Sequence, residues 1–580
     1  MIFFSVYISI LVYLLSIFSL YLDLTNKYLF IIFSITTLLA YIINKKLDNR
    51  YFTKPEIIWI TLAVAIPFLA LFLVSAMPVF TGDEIAYSVA LPKLYADAKR
   101  IFYVSDYGPY SAFPQNYEAL TTLSFIVFDS PILSKIINLI MVLSISCIGW
   151  DISRRQGCNK IISTLTPLFF LTSSVVITYS PIAKNDIANG FFQILSLYFI
   201  YQYNYNKKLI NIILCAFFAG LSLGTKLNSL FFISILTIFV LYYLTFLGNK
   251  YEKKSKNLAI YFFVLIISAS PWYINNLLLF GNPLYPAFNE YFLLHNSFNI
   301  NYVRMFRELF FHDIADFSWS AGTIKGFCIK FSKEFGYIVF SAGLIGGILA
   351  SFTSNKISVK LFANFTLLLT LITLLFSFWE PRYNLSLLFL MCINSTFLVN
   401  KVIGNYKYRK NMSKFILTTV IIIGVINFYN IYYKMSYEYI VMKRDEFMIK
   451  YIPWWEATEY INNNIDKNKK IAIASVQPFY YLSGFSYYHI HPLMEKGDLL
   501  SIKNGKEFEA LLCKQQVNYI VFDDWPIIRP DNINTPIINK FCRNIFKLAI
   551  PELIKNNQLS LIKKINNIQI YKFKCQNKNE

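Results

Sequence analysis

The chain has 580 residues, of which 56% are hydrophobic and only 15% charged, and its mean hydropathy is +0.46. Soluble domains carry about 25% charged residues, so this composition excludes a soluble globular enzyme, and the 55 Phe and 42 Tyr exclude disorder and low-complexity fibres. The net charge of +21 would point to nucleic acid in a soluble protein, but in a polytopic membrane protein it reports topology, and no nucleic-acid partner is expected.

In chain order, apolar runs suited to a ~30 Å hydrocarbon core lie at 2–22, 28–44, 57–78, 131–150, 161–180, 187–203, 209–223, 227–247, 257–279, 336–353, 361–378, 383–400 and 415–433. They predict an α-helical polytopic membrane protein of about thirteen spans. The runs at 187–203 and 209–223 are short and could tilt or end inside the protein. The first run lacks a basic start and a small-residue cleavage site, and reads as a retained helix rather than a signal peptide.

With a cytoplasmic N-terminus, one set of short loops carries twenty cations, from Lys45, Lys46, Arg50 and Lys54 through Arg154, Arg155 and Lys160 to Lys407, Arg409, Lys410 and Lys414. The other set carries four: Lys27, Lys184, Lys226 and Arg382. The asymmetry fits the positive-inside rule. It places loops 79–130 and 280–335 and the tail 434–580 outside the cytoplasm. No charge is expected near the middle of a span, which argues against a coupled transporter.

Of eight cysteines, Cys147, Cys158, Cys215 and Cys392 read as small apolar residues of helices. Cys328 falls in an outer loop. Cys513, Cys542 and Cys575 fall in the tail, where at most one disulfide can join them. The tail shows β-rich runs at 470–475, 488–491 and 517–522, a helix at 505–515 and a closing hairpin of 559–565 with 568–573. It reads as a small exocytoplasmic α/β domain, 434–580, after a transmembrane domain, 1–433. It has no G-x-G-x-x-G and no P-loop, so no nucleotide cofactor is expected. His489 and His491 share one side of a strand and read as surface or interface histidines.

The candidate chemistry lies on the outer face. Asp83 and Glu84 directly follow a span, where unpaired carboxylates are costly. The sequence from 85 to 100 reads as an amphipathic helix on the membrane, carrying Lys93 and Tyr95. An aromatic, Pro-broken stretch then leads to Glu118. Further outer turns hold Lys184-Asn185-Asp186, Gly224-Thr225-Lys226, Gly281 to Pro286 with Tyr285, and Trp379 to Tyr383 with Arg382. One carboxylate can take the proton of an acceptor hydroxyl, a second can hold a divalent cation, and cations can neutralise a departing phosphate. Simpler roles compete: Asp83, Glu84 and Asp186 can cap helices, Lys226 and Arg382 can anchor them, and Lys93 can snorkel.

These marks, with Leu91-Pro92-Lys93, Phe113-Pro114-Gln115, Gly220, Pro271-Trp272 and Pro381-Arg382-Tyr383, resemble the GT-C superfamily of integral-membrane glycosyltransferases over about residues 57–433. The style is that of bacterial lipid A aminoarabinose transferases, protein O-mannosyltransferases and rhizobial lipopolysaccharide core transferases. The chain departs from it at Ile274-Asn275-Asn276, where an Arg often precedes an Asn, and in having more than one span before the acidic loop. The resemblance implies an inverting hexosyl- or pentosyltransferase with a polyprenyl-phosphate-linked sugar donor and a glycan, lipid or protein acceptor. It implies Asp83 and Glu84 as catalytic residues and Lys93, Tyr95, Glu118, Lys184, Lys226, Tyr285 and Arg382 as substrate or phosphate ligands. It also implies a Mg²⁺ or Mn²⁺ ion held by Asp186 with Asp83, and residence among the lipids of a bacterial inner membrane, with site and tail exocytoplasmic. A lipid-linked polysaccharide polymerase or ligase and a flippase are the alternatives. The early acidic loop and the α/β tail disfavour the former, and the absence of internal repeats disfavours the latter.

Overall fold

A computed structural model describes residues 2–46, 68–104, 107, 110–247, 254–285, 287, 321–375, 380–403, 409–452, 454–475, 480–482, 484–490, 499, 502–523 and 543–576. Among these, seven helices are long and apolar enough to cross a membrane: Phe3–Tyr21, Asn26–Lys45, Ile132–Arg155, Lys254–Phe280, Ile357–Leu375, Pro381–Ile403 and Asn411–Val441. Ile324–Phe335 and Tyr337–Thr353 form a further pair bent by 113°. The bend falls at Gly336, whose φ of +95° suits glycine. The protein is an integral membrane protein.

Several of the other expected runs take a different form among the described residues, for physical reasons. The run 161–180 breaks into Lys160–Ser163, Leu165–Leu171 and Ser174–Tyr179. Thr172 and Ser173 turn their hydroxyls onto the carbonyls of Leu168 and Phe170, and Ser173 leaves the helical conformation. The run 187–203 lies in helix Asn185–Asn206, which is buried along almost its whole length. Its Asn189 accepts from Ser222 and Ser229, and its Gln193 accepts from Ser386. It is a central helix wrapped by protein, so it can be polar where a lipid-facing span cannot. Leu209–Leu223 and Ser229–Thr245 are apolar but short. Most of the run 57–78 lies outside the described residues.

Pro271 sits inside helix Lys254–Phe280. Its missing N–H frees the carbonyl of Ile267, and the Tyr13 hydroxyl of the first helix donates to that oxygen at 3.0 Å. The adjacent Trp272 donates its indole N–H to Asn116 at 2.7 Å. Asn116 also accepts from Ser16 and donates to Leu221. One asparagine thus ties helices 2–21, 116–128, 209–223 and 254–280 together.

The expected surface helix at 85–100 is instead a π-turn, Glu84–Ser88, followed by helix Ala90–Ala98. Leu91, Pro92 and Tyr95 of that helix are buried, and it packs on helix Asn116–Phe128. Its apolar face is covered by protein rather than lipid.

Past the last span, helix Asn411–Val441 runs through position 433. Helices Arg444–Tyr451 and Trp455–Asn464 follow. A five-stranded sheet then forms from β1 (Lys470–Ile473), β2 (Ser486–His489), β3 (Val517–Asp523), β4 (Leu559–Ile565) and β5 (Ile568–Phe573), in the order β2-β1-β3-β5-β4. The first three strands are parallel, and β4 and β5 close the sheet as an antiparallel hairpin. Asn566 adopts φ +52° in its turn. Helix Gly505–Lys514 lies between β2 and β3 in sequence, as the pattern predicts.

Cys513, at the end of that helix, is disulfide-bonded to Cys575, just beyond β5. Peptide mapping without reduction should therefore recover Cys513 joined to Cys575. Two free thiols at these positions in protein isolated from its native membrane would contradict this tail structure.

Candidate active site

Asp83 stands at the entry to the π-turn Glu84–Ser88, a helix irregularity that recurs at functional sites. Its neighbour Glu84 is fully buried. The Glu84 carboxylate accepts the backbone N–H of Ala183 at 2.7 Å and the Thr81 hydroxyl at 2.9 Å. Lys135 lies 3.9 Å from it and donates to the Met77 carbonyl. Glu84 is a brace between the Asp83 turn and the loop before helix Asn185–Asn206. Its contacts to Ala183 and Thr81 occupy both carboxylate oxygens in the fold as it stands. Asn138 completes the brace by donating to the carbonyls of Ile182 and Lys184.

The brace delivers Lys184 to Asp83. One Asp83 oxygen accepts both the Lys184 ammonium and, at 2.9 Å, the Arg382 guanidinium. Lys184 is buried and also stands 3.6 Å from Asp186. Asp186, wholly buried, pairs through its other oxygen with Lys226. Lys226 sits 3.9 Å above the ring of Tyr383, and Arg382 faces the rings of both Tyr383 and Tyr179. Glu380 approaches Arg382 at 3.9 Å and bonds Lys330 at 2.8 Å. Tyr87 and Tyr110 stack at 4.5 Å, and beyond the effect of burial the Asp83 charge raises both phenols.

Four elements meet here, and their positions follow from packing. Gly220 lies in the last turn of helix Leu209–Leu223 and Gly224 caps it, two residues before Lys226. A Cβ on Gly220 would meet Ser268 Oγ at 1.9 Å, and one on Gly224 would meet Asn116 Nδ2 at 2.5 Å. Glycine at both lets the helix end seat against its neighbours. Arg382 lies in a single 3₁₀ turn, Pro381–Asn384, opening helix Leu385–Ile403.

Electrostatics set the protonation states. Burial raises the Asp83 pKa, but Lys184 and Arg382 outweigh it through charge and hydrogen bonds and hold it at about 2. The two cations thus oppose and exceed the effect of burial on this carboxylate. Two carboxylates face three cations. Among the described residues no group of three His, Cys, Asp or Glu could hold a metal ion. The Mg²⁺ or Mn²⁺ expected at Asp186 with Asp83 does not fit this donor set, since lysine or arginine already occupies both carboxylates.

The remaining expected ligands lie elsewhere. Lys93 places its ammonium 5.2 Å over the Tyr480 ring of the tail. Tyr95 is fully buried against Phe102, and Tyr285 is buried and stacked on Phe280 at 4.0 Å. Both rings are enclosed by the fold as it stands. Glu118 is buried and accepts from Asn185 at 3.0 Å, so it supports Asp186's neighbour rather than the pocket. Asn276, in the stretch where the family pattern places an Arg, donates to the Ala112 carbonyl. His489 is buried with its ring 6.2 Å from Tyr107, an interface position. His295, His312, His491, Pro286, Trp379 and Cys542 lie outside the described residues.

Sequence reasoning missed Lys135, Asn138, Tyr87, Tyr179 and Glu380. A lone Lys one turn into an apolar helix was the available signal for Lys135.

The sequence profile of the dolichyl-phosphate-mannose-protein mannosyltransferase family matches residues 107–292. No curated protein matches by sequence. Apo ArnT from Cupriavidus metallidurans superposes with TM-score 0.60 at 10% identity, over 89% of this chain and 97% of that one. The chain has the GT-C fold. ArnT bound to undecaprenyl phosphate gives 0.55 at 10% identity, over 89% and 98%. An Archaeoglobus fulgidus oligosaccharyltransferase tethered to an acceptor peptide gives 0.55 at 12%, over 87% and 72%. Within this GT-C fold the matched segment contains Lys184, Asp186 and Lys226, while Asp83 and Arg382 lie outside it.

Burial pushes the Glu118 carboxyl from its ordinary 4.5 up to about 8, against the opposing pull of Lys226 and Asn185. Between those values the unfolded chain has lost the proton that the folded chain keeps, so stability falls as pH rises through this window. The wild-type melting temperature should decline from pH 5 to pH 8, and Glu118→Gln should flatten that decline. An unchanged slope in the variant would show that Glu118 is already ionised in the fold.

Proposed function

We propose that this protein is a glycosyltransferase that moves a hexosyl or pentosyl unit from a polyprenyl-phosphate donor to an acceptor hydroxyl at the exocytoplasmic face. The observation that carries the reading is the convergence of Lys184, Lys226 and Arg382 on Asp83 and Asp186, bordered by tyrosines. Buried charge is costly to hold, and such clusters are enriched at functional sites. Cations exceed carboxylates, which suits an arriving phosphate.

The chemistry balances on these groups. The acceptor oxygen attacks the anomeric carbon from the side opposite the phosphate, and the carbon–oxygen bond to phosphate breaks, which inverts the centre. Asp83 takes the acceptor proton, and polyprenyl phosphate leaves with added negative charge that the three cations neutralise. Held by two cations, Asp83 is a weak base. A donor phosphate competes for Lys184 and Arg382, and in doing so frees the Asp83 carboxylate to accept a proton. Donor binding thus prepares the base. Tyr87 and Tyr110 offer an aromatic wall beside Asp83 for a sugar ring.

Two observations support the exocytoplasmic face: the twenty-to-four cation asymmetry of the short loops and the tail disulfide Cys513–Cys575, since disulfides persist outside the cytosol. In a bacterium this is the inner membrane facing the periplasm. The tail 434–580 is then an exocytoplasmic domain after a transmembrane one. The undecaprenyl phosphate and acceptor peptide of the two neighbours support a lipid-linked donor and a glycan, lipid or protein acceptor.

Asp83→Asn should lower sugar transfer in isolated membranes by about 10²-fold or more while undecaprenyl phosphate still binds. Arg382→Lys keeps the charge but loses the planar fork, and should weaken undecaprenyl phosphate binding. Wild-type transfer by Asp83→Asn would remove the base, and wild-type binding by Arg382→Lys would remove the bidentate contact.

A further inference from the structure

The tail reaches the Asp83 turn directly. The backbone N–H of Tyr480 donates to the carbonyl of Ile85 at 3.2 Å. The Tyr481 hydroxyl donates to the carbonyl of Val79. These two carbonyls lie on either side of Asp83, so the pair clips the ends of the stretch that carries it. Between these two points the stretch is also held by Glu84, which accepts from Thr81 and Ala183. A Cβ on Gly82 would meet nothing within 4 Å, and the Asp83 side chain makes no capping hydrogen bond. The turn that follows is a π-turn, whose looser winding is tolerated where outside partners hold it.

The clip is itself anchored. Asn462 of helix Trp455–Asn464 donates to the Tyr481 carbonyl at 2.9 Å. Trp455 meets the Tyr481 ring edge-on at 5.1 Å. The Tyr480 ring lies between the Lys93 ammonium, 5.2 Å from its centre, and Phe125, 6.3 Å away. This gives Lys93 a role other than phosphate binding: it presses the clip onto the helix that follows Asp83.

We propose that Tyr480 and Tyr481 are positioning residues for transfer, through which the C-terminal segment sets where the Asp83 carboxylate stands. The proposal rests on the reading of Asp83 as the base. It makes the tail part of the active site: the segment that holds Asp83 in place is separated from it by roughly 400 residues of chain. Small displacements of a reacting group are expensive in rate, about 10²-fold for 1 Å. A change in the tail therefore reaches the base through two hydrogen bonds.

The test uses the full-length protein and three readouts. Tyr481→Phe removes one oxygen and leaves the ring in its packing. It should lower kcat by about tenfold, the order expected for a lost hydrogen bond to a buried carbonyl, with donor KM and undecaprenyl phosphate binding unchanged. Hydrogen exchange of the amides at 82–89 should quicken in the same variant, a readout independent of activity. Asn462→Ala, which frees the Tyr481 carbonyl from its anchor, should act in the same direction. Combined with Tyr481→Phe it should add little, because both act on one clip. Asn504→Ala, which removes a helix-cap hydrogen bond from the backbone N–H of Glu507 on a tail helix that does not carry the clip's anchors, should transfer at the wild-type rate. Wild-type exchange at 82–89 together with wild-type kcat in Tyr481→Phe overturns the proposal. Quickened exchange with unchanged kcat overturns it too, since the clip would then hold the turn without serving transfer. Loss of undecaprenyl phosphate binding in Tyr481→Phe would mean a collapsed site, and the proposal would then stand or fall on Asn462→Ala by the same kcat and exchange readouts. If Asp83→Asn transfers normally while Tyr481→Phe quickens exchange, the base assignment fails and the clip remains as a structural contact.

Discussion

The pairing of one Asp83 oxygen with both Lys184 and Arg382 is the interaction on which this site depends. Charges at the edge of a hydrocarbon layer are costly unless each finds a partner. Here three cations and two carboxylates satisfy one another, and the balance remains positive. An arrangement of this kind stabilises the fold less than apolar packing of the same volume would. It is better understood as a site prepared for an anion that completes the charge balance.

The scaffold around it consists of hydrogen-bonded braces. Glu84 and Asn138 fix the loop that delivers Lys184. Asn116 ties four helices at the level of the site. Gly220 and Gly224 allow the helix end before Lys226 to close on its neighbours. Most of the short marks that run along the sequence belong to this scaffold. Pro271-Trp272 is an example: the proline frees a carbonyl for Tyr13, and the tryptophan donates to Asn116. Their order along the chain reports how helices are joined, and the chemistry is left to a few charged side chains.

Composition made the membrane character and helical class legible, and period-2 patterning made the tail sheet legible almost strand for strand. Asp83, Lys184, Asp186, Lys226 and Arg382 were also legible, because cations and carboxylates are rare at the ends of apolar runs. Their pairing was not, since Asp83 and Arg382 lie 299 residues apart and only the fold brings them together. The same limit explains Tyr95 and Tyr285: an outer-loop tyrosine reads alike whether it faces a pocket or packs inward. The burial of helix Asn185–Asn206 and the breaks in the run 161–180 were not legible, because hydropathy cannot separate a lipid-facing helix from one enclosed by protein. Tyr480 and Tyr481 carry no local signal, and their role depends on a contact made across the chain.

The most direct test of the account is a structure of the protein with undecaprenyl phosphate bound. The account predicts phosphate oxygens within hydrogen-bonding distance of Lys184 and Arg382, with the Asp83 carboxylate released from both and turned toward open space beside Tyr87. A phosphate seated away from these cations, with the Asp83 pairs to Lys184 and Arg382 intact, would contradict it.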